Sequence, residues 1–236
     1  MNNFNKIINL SLILFLISCG KIAPKGDFET KQIQLEEFNG LNLEGKFRAF
    51  YVRSDKNFVE VETYKNIADN LKIDVSGKTL NIIEKRETEG VDFYNVTIYS
   101  RYSPASISIS DSVEMNISGG ISTDYFKLNL KNNAKFIGSV NSRKADLEML
   151  NTSRANFTGF TKNASLKISD TANFISPYWV LDNLEIEAKN GVYAEVNVKD
   201  TLKGKIGNTA KFLYYNDPIR ALKIEKTANV QNKKLD

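Results

Sequence analysis

The chain has no histidine and only one cysteine, and these two shortages exclude whole classes of chemistry. Without histidine there is no Ser-His-Asp or Cys-His catalytic arrangement and no histidine-bound zinc. With Cys19 alone there is no intrachain disulfide and no cysteine metal cluster. We therefore expect no metal and no cofactor, and only carboxylate, lysine and tyrosine side chains remain for acid–base chemistry.

Blocks of like charge are also missing. The 32 Lys and Arg residues and 28 Asp and Glu residues are interspersed, which gives a formal net charge of +4 without a run of five like charges. Such a pattern is typical of a mixed, solvated surface, and it does not support a nucleic-acid partner. After residue 17, no apolar run approaches the length of a membrane span.

The one long apolar run lies in residues 1–18, which we interpret as a lipoprotein signal peptide. Lys6 supplies a positive start, and the eleven residues 7–17 are too short to cross a bilayer of about 30 Å as a helix. The ending Leu16-Ile17-Ser18-Cys19-Gly20 resembles a bacterial lipobox, in which the cysteine carries the lipid. We therefore expect lipidation of Cys19 and attachment to the membrane through that lipid, most readily at the outer membrane because Gly20 replaces the Asp that resembles an inner-membrane signal.

The remaining chain divides into three segments. Residues 19–33 are polar and broken by Pro24 and Gly26, so they predict a flexible tether behind the lipid. Residues 34–101 contain short period-two segments, such as 58–62 and 71–75, bounded by turn residues, and they predict an N-terminal β-region that continues into or caps the C-terminal segment. That segment, residues 102–236, contains a repeat.

The repeat consists of two columns of apolar residues that recur at a period of 17 to 21 residues. The first column follows a small turn residue by two positions: Met115, Phe136, Phe157, Phe174, Tyr193, Phe212 and Val230. The second column is Ile107, Leu128, Leu147, Leu166, Leu184, Leu202 and Leu222. Seven units at a fixed period indicate a repeat architecture.

Each unit holds two short strands and no helical segment, so a single unit cannot bury its apolar face alone. Coiling with about 4.8 Å between rungs would place each Leu over a Leu and each Phe over a Phe. This favours an all-β parallel β-helix with rungs of about 19 residues, closed by Asn229 to Asp236 over the last rung. A β-sandwich is the alternative, since it is also built from short strands, although it does not require like residues to recur in register.

The lipobox, the Val-Glu-Val-Glu of residues 59–62 and the strand-turn-strand sequence of residues 72–82 resemble the auto-transporter adhesin head GIN-domain family of Bacteroidota lipoproteins. The resemblance covers roughly residues 36–230, although most turns here read Asn-x-Ala or Thr-Ala where the family has glycine. The resemblance implies a right-handed β-helix at the cell envelope. It carries over no catalytic residues.

A β-helix invites comparison with polysaccharide lyases and hydrolases, so the carboxylates matter. Glu148, Lys167 and Glu185 follow column leucines, and the sequence places Glu148 and Glu185 two rungs apart with Lys167 between them. Glycosidic cleavage needs two carboxyl groups roughly 5 to 9 Å apart. The other interpretation is a solvated charge ladder of alternating sign.

Aromatic residues cluster at two comparable loops, at Tyr178-Trp179 and at Tyr214-Tyr215. On an exposed edge, these rings would suit stacking on a sugar or anchoring a partner protein, with Pro177 and Pro218 stiffening the loops. Alternatively they pack a corner of the core.

Three Asp-(Ser/Thr)-aliphatic triplets resemble O-glycosylation acceptors, with Ser112, Thr171 and Thr201 as the modified residues. The favoured function is a non-catalytic, lipid-anchored binding or adhesion protein whose partner is a glycan or an envelope protein. A β-helix lyase or hydrolase and a periplasmic structural or sensing partner are the alternatives.

Overall fold

The computed structural model describes residues 20–234, which form a single coiled β-sheet of seventeen strands with one short helix. The strands are β1 (Phe28–Gln34), β2 (Gly40–Gly45), β3 (Arg48–Arg53), β4 (Phe58–Tyr64), β5 (Leu71–Ser76), β6 (Thr79–Glu84), β7 (Asn95–Ser100), β8 (Ser106–Asp111), β9 (Glu114–Ile117), β10 (Ile121–Leu130), β11 (Lys135–Met149), β12 (Arg154–Ile168), β13 (Asn173–Ala188), β14 (Tyr193–Ile206), β15 (Lys211–Tyr215), β16 (Ile219–Ile224) and β17 (Asn229–Lys233), and the helix is α1 (Lys65–Asp69). Within residues 20–234, no helix is long and apolar enough to cross a membrane.

Consecutive long strands stack in parallel, each residue lying over one about 19 positions further along the chain. Leu128 pairs with Leu147, and Leu147 pairs with Leu166. The register between β11 and β12 is continuous from Lys135 to Met149. The prediction of an all-β solenoid with rungs of about 19 residues is therefore confirmed, with about seven turns, and the sandwich alternative is wrong.

One corner of each turn is built on an Asn or Asp in the left-handed backbone conformation. These residues recur every 18 to 21 positions, with φ between 40° and 65°: Asp111, Asn132, Asn151, Asp170, Asn190 and Asn208. Asn and Asp tolerate this conformation better than other residues that carry a side chain. Their side chains also bond between rungs, since Asn132 Nδ2 donates to Asp111 Oδ1 at 2.9 Å and Asn208 Nδ2 donates to Asn190 Oδ1 at 2.9 Å. The corner row thus contributes to both turning and stacking.

The aromatic column differs from the predicted one at two rungs. The observed column is Met115, Phe136, Ala155, Phe174, Ala194, Phe212 and Val230. The predictions for Phe157 and Tyr193 are wrong because each lies elsewhere on its strand. Tyr193 faces outward beside the inward Ala194, and Phe157 lies two residues beyond Ala155 on the same inward face.

The displaced Phe157 fills space that glycine leaves on the neighbouring rung. Phe157 pairs with Gly138, where a Cβ atom would lie 2.8 Å from Ile117. The Phe157 ring is fully buried, with its centroid 4.9 Å from that of Phe136 and 5.5 Å from that of Phe174. Large rings therefore alternate with Ala and Gly between rungs, so that the lumen is filled by complementary sizes.

The leucine column is confirmed at its first four positions, where Ile107, Leu128, Leu147 and Leu166 stack in register. The column then breaks, because Leu166 pairs with Ile186 and Leu184 pairs with Ala164. Leu184 and Leu202 consequently belong to the neighbouring inward column, and Leu222 pairs with Gly204. The cause is a register shift in β13 before Tyr178, which moves the rest of that strand by one residue relative to β12.

The N-terminal strands close one end of the solenoid out of chain order. β2 and β3 lie in parallel between β6 and β7 on one side and β8 and β9 on the other, so residues 79–100 form a rung outside the one that precedes them in sequence. β1, β4 and β5 add in antiparallel fashion beyond them. The helix α1 buries Ile67 and Ala68 against this end.

The predicted flexible tether is wrong for most of its length. β1 begins at Phe28 and pairs along its whole length with β4. Before it, Ile22 forms a bridge with Thr88, and the backbone N–H of Lys25 donates to Asn66 Oδ1 at 2.8 Å. These contacts hold residues 21–34 on the N-terminal end of the solenoid, which leaves only Gly20 outside them.

The opposite end is built differently. β17 lies beside β15 as one wall of the last rung, so the prediction that Asn229 to Asp236 shield that rung is wrong for the described residues up to 234. The inward side chains of Leu222 and Val230 are only partly buried, and Ile224 is 52% exposed.

Candidate functional site: a tyrosine patch on the solenoid wall

The predicted carboxylate pair does not share a row. Glu148 pairs with Lys167, and Lys167 pairs with Glu187 rather than with Glu185. Glu185 instead pairs with Ser165 and forms an ion pair with Lys203, with Nζ 3.1 Å from Oε2. The sequence prediction that placed Glu148 and Glu185 in one column is wrong, because the β13 register shift moves Glu185 into the neighbouring row.

These charges form two outward rows that alternate in sign or polarity from rung to rung. One row is Asn129, Glu148, Lys167, Glu187, Lys205 and Lys223, and the other is Lys127, Asp146, Ser165, Glu185 and Lys203. They line an open depression of about 510 Å³. Because Glu148, Lys167 and Glu185 are all exposed, this wall matches the solvated charge ladder that was the alternative interpretation.

Trp179 is not on an exposed edge. Its side chain is 1% exposed, its ring centroid lies 4.8 Å from that of Phe157, and its indole N–H donates to the Val140 carbonyl oxygen at 3.2 Å. The prediction that Trp179 forms a binding surface is wrong, because the ring and its single donor are both satisfied inside the core.

Tyr214 is also internal. Its side chain is 2% exposed and stacks on Phe212, with 5.9 Å between the ring centroids. Its hydroxyl accepts a hydrogen bond from Arg220 Nη1 at 2.9 Å. The binding prediction for Tyr214 is therefore wrong for the same reason as for Trp179, and the core-packing alternative holds for both residues.

Tyr178 is exposed because of an irregularity in its strand. Relative to β14, the register of β13 jumps between Ser176 and Val180, so residues 177–179 form an outward loop with no partners on β14. Alternation along this loop buries Trp179 and leaves Tyr178 68% exposed. Asn197 Nδ2 donates to the Pro177 carbonyl oxygen at 3.0 Å and so fixes the base of the loop.

Tyr215 lies next to this loop and shares a carboxylate with a second tyrosine. Tyr215 pairs with Asn197, the residue that holds the Tyr178 loop. The Tyr215 hydroxyl donates to Glu195 Oε1 at 2.5 Å, and the Tyr193 hydroxyl donates to Glu195 Oε2 at 3.1 Å. We call Tyr178, Tyr193, Glu195 and Tyr215 the tyrosine patch.

The shared carboxylate governs the acid–base behaviour of the patch. The hydrogen bond to Glu195 raises the pKa of Tyr215 to about 12, since ionising the phenol would place two negative charges side by side. Partial burial, followed by its bond to Glu195, raises the pKa of Tyr193. Both phenols therefore stay neutral at physiological pH, and the patch carries the single negative charge of Glu195.

Sequence analysis found Tyr178 and Tyr215 but missed Tyr193 and Glu195, because it placed Tyr193 in the core column. A signal was available: the third residue after each left-handed corner residue faces outward and the fourth faces inward, as Asn190, Tyr193 and Ala194 show.

The remaining predicted sites have simple positions. Cys19 lies outside the described residues. Ser112 and Thr171 directly follow the left-handed corner residues Asp111 and Asp170, and Thr201 lies in β14. Their glycosylation stays a prediction. Within residues 20–234, no group of three His, Cys, Asp or Glu residues is placed to hold a metal ion.

Together, the parallel rungs and the outward patch define an all-β solenoid of the adhesin-head class. The family described as "Putative auto-transporter adhesin, head GIN domain" matches residues 37–218, and the chain belongs to this family. The resemblance inferred from the sequence is thereby confirmed. Comparison with curated proteins finds no significant match.

Solved structures share the fold. A crystal structure described as a "putative adhesin" from Bacteroides fragilis NCTC 9343 superposes with a TM-score of 0.77 at 16% identity, covering 90% of this chain and 100% of that one. One with the same description from Parabacteroides merdae ATCC 43184 gives 0.70 at 16% identity, over 90% and 99%. A third, from Parabacteroides distasonis ATCC 8503, is described as a "putative lipid binding protein" and gives 0.64 at 17% identity, over 92% and 100%.

Proposed function

We propose that this chain is an exported, lipid-anchored adhesin of the cell envelope that binds a saccharide through the tyrosine patch without catalysing a reaction on it. The patch carries the proposal, because it combines flat exposed aromatic area with a fixed hydrogen-bond acceptor. Phenol rings present an apolar face on which the C–H face of a sugar ring stacks. Glu195 and the tyrosine hydroxyls can bond to the hydroxyl groups around such a ring.

The charge of the patch favours a neutral saccharide. Glu195 is half-buried and holds both phenols neutral, so an acidic sugar would bring a second negative charge against it. The nearby loop is already fixed by the bond from Asn197, so little conformational entropy is lost on binding. We therefore expect neutral polysaccharides to bind more tightly than uronic-acid polymers.

The proposed anchor is the lipid on Cys19, and the packing of the following residues supports its geometry. Because residues 21–34 are held on the N-terminal end, a lipid at Cys19 would hold that end close to the membrane and leave the far end outermost. The outer membrane is the proposed location. Replacing Cys19→Ala should move the protein from the membrane fraction to the soluble fraction or leave its precursor unprocessed, as fractionation and immunoblotting would show. Retention at the wild-type level would contradict the anchor.

Catalysis is tested separately. Purified residues 20–236 would be incubated with neutral and acidic polysaccharides, and new reducing ends or unsaturated products would be measured. We expect binding without product. Robust turnover that is lost in Glu148→Gln or Glu185→Gln would overturn the proposal in favour of a lyase or hydrolase on the charged wall.

A further inference from the structure

The two ends of the solenoid are finished in different ways, and the C-terminal end is open. At the N-terminal end, α1 covers the lumen with Ile67 and Ala68, and Lys31 of the edge strand β1 is paired with Asp69 at 2.8 Å. Charged residues and a covering helix are how edge strands avoid unwanted pairing. Within the described residues, nothing comparable crosses the rung formed by β16 and β17.

The open end exposes both backbone and apolar side chains. β16 pairs only with β14, and β17 pairs only with β15, so each has one edge whose N–H and C=O groups have no strand partner among residues 20–234. A depression of about 590 Å³ lies over this rung, lined by Tyr214, Arg220, Leu222, Ile224 and Val230 among others. Ile219 is 76% exposed and Ile224 is 52% exposed. Solenoids normally cover such a surface with a polar capping repeat.

The open end is also basic. In residues 217–234, five Lys and Arg residues stand against two acids, and one of those acids, Glu225, is already paired with Lys205 at 2.9 Å. A second copy docking end to end would bring two such positive surfaces together. Docking on the N-terminal end of another copy would meet the edge that α1 and the Lys31–Asp69 pair protect.

We propose that the C-terminal end is a docking site for an extended, acidic segment of a partner protein, which adds as a strand to the free edge of β16. Strand addition gives affinity through main-chain hydrogen bonds and specificity through alternate side chains. Apolar residues of the segment would lie over Leu222 and Ile224, and acidic residues would lie over Arg220 and Lys223. This partner surface is separate from the saccharide site of the proposed function.

The probe is a blocked synthetic peptide, Ile-Glu-Thr-Val-Glu-Ile, measured by fluorescence polarisation against residues 20–236. We expect saturable binding that weakens as salt is raised. Lys223→Glu, which changes an exposed outward side chain, should weaken binding at least tenfold, and replacing the second glutamate of the peptide by lysine should restore it. Lys167→Glu, an exposed residue on the same wall several rungs away, is the matched control and should bind like wild type.

Three results would overturn the proposal: no binding by the peptide, equal weakening by Lys223→Glu and Lys167→Glu, or a protein dimer in sedimentation that strengthens with salt, which would assign the end to a second copy. Circular dichroism melting of each variant separates a lost contact from a lost fold. As a second variant, Ile224→Ser removes apolar surface without changing charge and should also weaken binding. Tyr178→Ala should leave peptide binding unchanged, so this proposal and the saccharide site fail independently.

Discussion

At the scale of single residues, a small inward side chain beside each left-handed corner lets the rungs close. This row contains Ala134, Ala172 and Ala210, all fully buried, and at one rung the alanine is replaced by Ser153. The Ser153 side chain is also fully buried, and its Oγ has no hydrogen-bond partner among the described residues. Leaving a buried hydroxyl unpaired costs about 1 to 3 kcal/mol.

Replacing Ser153→Ala should therefore raise the free energy of unfolding, by about 1 kcal/mol, in urea denaturation. The matched control is Ser142→Ala, which removes one partner from the buried Ser142–Thr161 hydroxyl pair, 2.8 Å apart, and should lower the free energy of unfolding by about 1 to 2 kcal/mol. If both substitutions destabilised the protein equally, Ser153 would have a partner that this account lacks.

The tyrosine patch gives a second prediction at this scale. In Glu195→Gln the carboxylate that opposes ionisation is gone, so the pKa of Tyr215 should fall from about 12 toward its ordinary value of 10.0. An absorbance titration of tyrosinate would follow this, with Tyr215→Phe identifying which ionisation belongs to that residue. An unchanged titration of the Glu195→Gln protein would show that the carboxylate does not hold Tyr215.

At the scale of strands, the sequence predicts the period of the solenoid but not its register. Corner residues recur visibly, and so the rung length could be read. A slip of two residues, however, keeps every side chain on the same face, so Phe157 and Ala155 are equivalent to a period-two pattern. The Arg154-Ala155-Asn156 turn also resembles Asn133-Ala134-Lys135, although Ser153 is the residue that occupies the small corner position.

The irregularity at residues 177–179 was equally hidden, and it decides the site. Sequence reasoning placed four aromatic residues on one edge, whereas the register shifts of β13 bury Trp179 and expose Tyr178. Neighbouring aromatic residues on a strand point to opposite faces, so at most one of each adjacent pair can face outward. This argument also separates Tyr214 from Tyr215.

The aromatic layer should dominate strand stacking. Phe157→Asp places an unpaired charge among Phe136, Phe174 and Trp179 and should prevent folding, while Phe157→Ala should lower the free energy of unfolding by about 3 to 5 kcal/mol. Phe160→Ala, on the same strand but 40% exposed, is the control and should cost less than about 1 kcal/mol. Wild-type stability in the Phe157→Ala protein would remove this ring from the core.

At the scale of the whole molecule, the solenoid is a rod with unlike ends. The N-terminal rung forms out of chain order and is closed by antiparallel strands, which no fixed period in residues 34–101 could reveal. The contacts of residues 21–34 tie that end to the proposed lipid, so both the tyrosine patch on the wall and the open C-terminal end would face away from the membrane. That geometry suits a protein whose task is to present binding surfaces.

The central claim is that the tyrosine patch binds a neutral saccharide, and a glycan array probed with residues 20–236 tests it most directly. Wild-type protein should bind a defined set of neutral glycans, and Tyr178→Ala combined with Tyr215→Ala should bind the same set at least tenfold more weakly with an unchanged melting temperature. Tyr125→Ala is the control, because Tyr125 is an exposed tyrosine on the opposite wall, beside Asp146, and it should bind like wild type. Equal binding by the double variant and wild type would contradict the account.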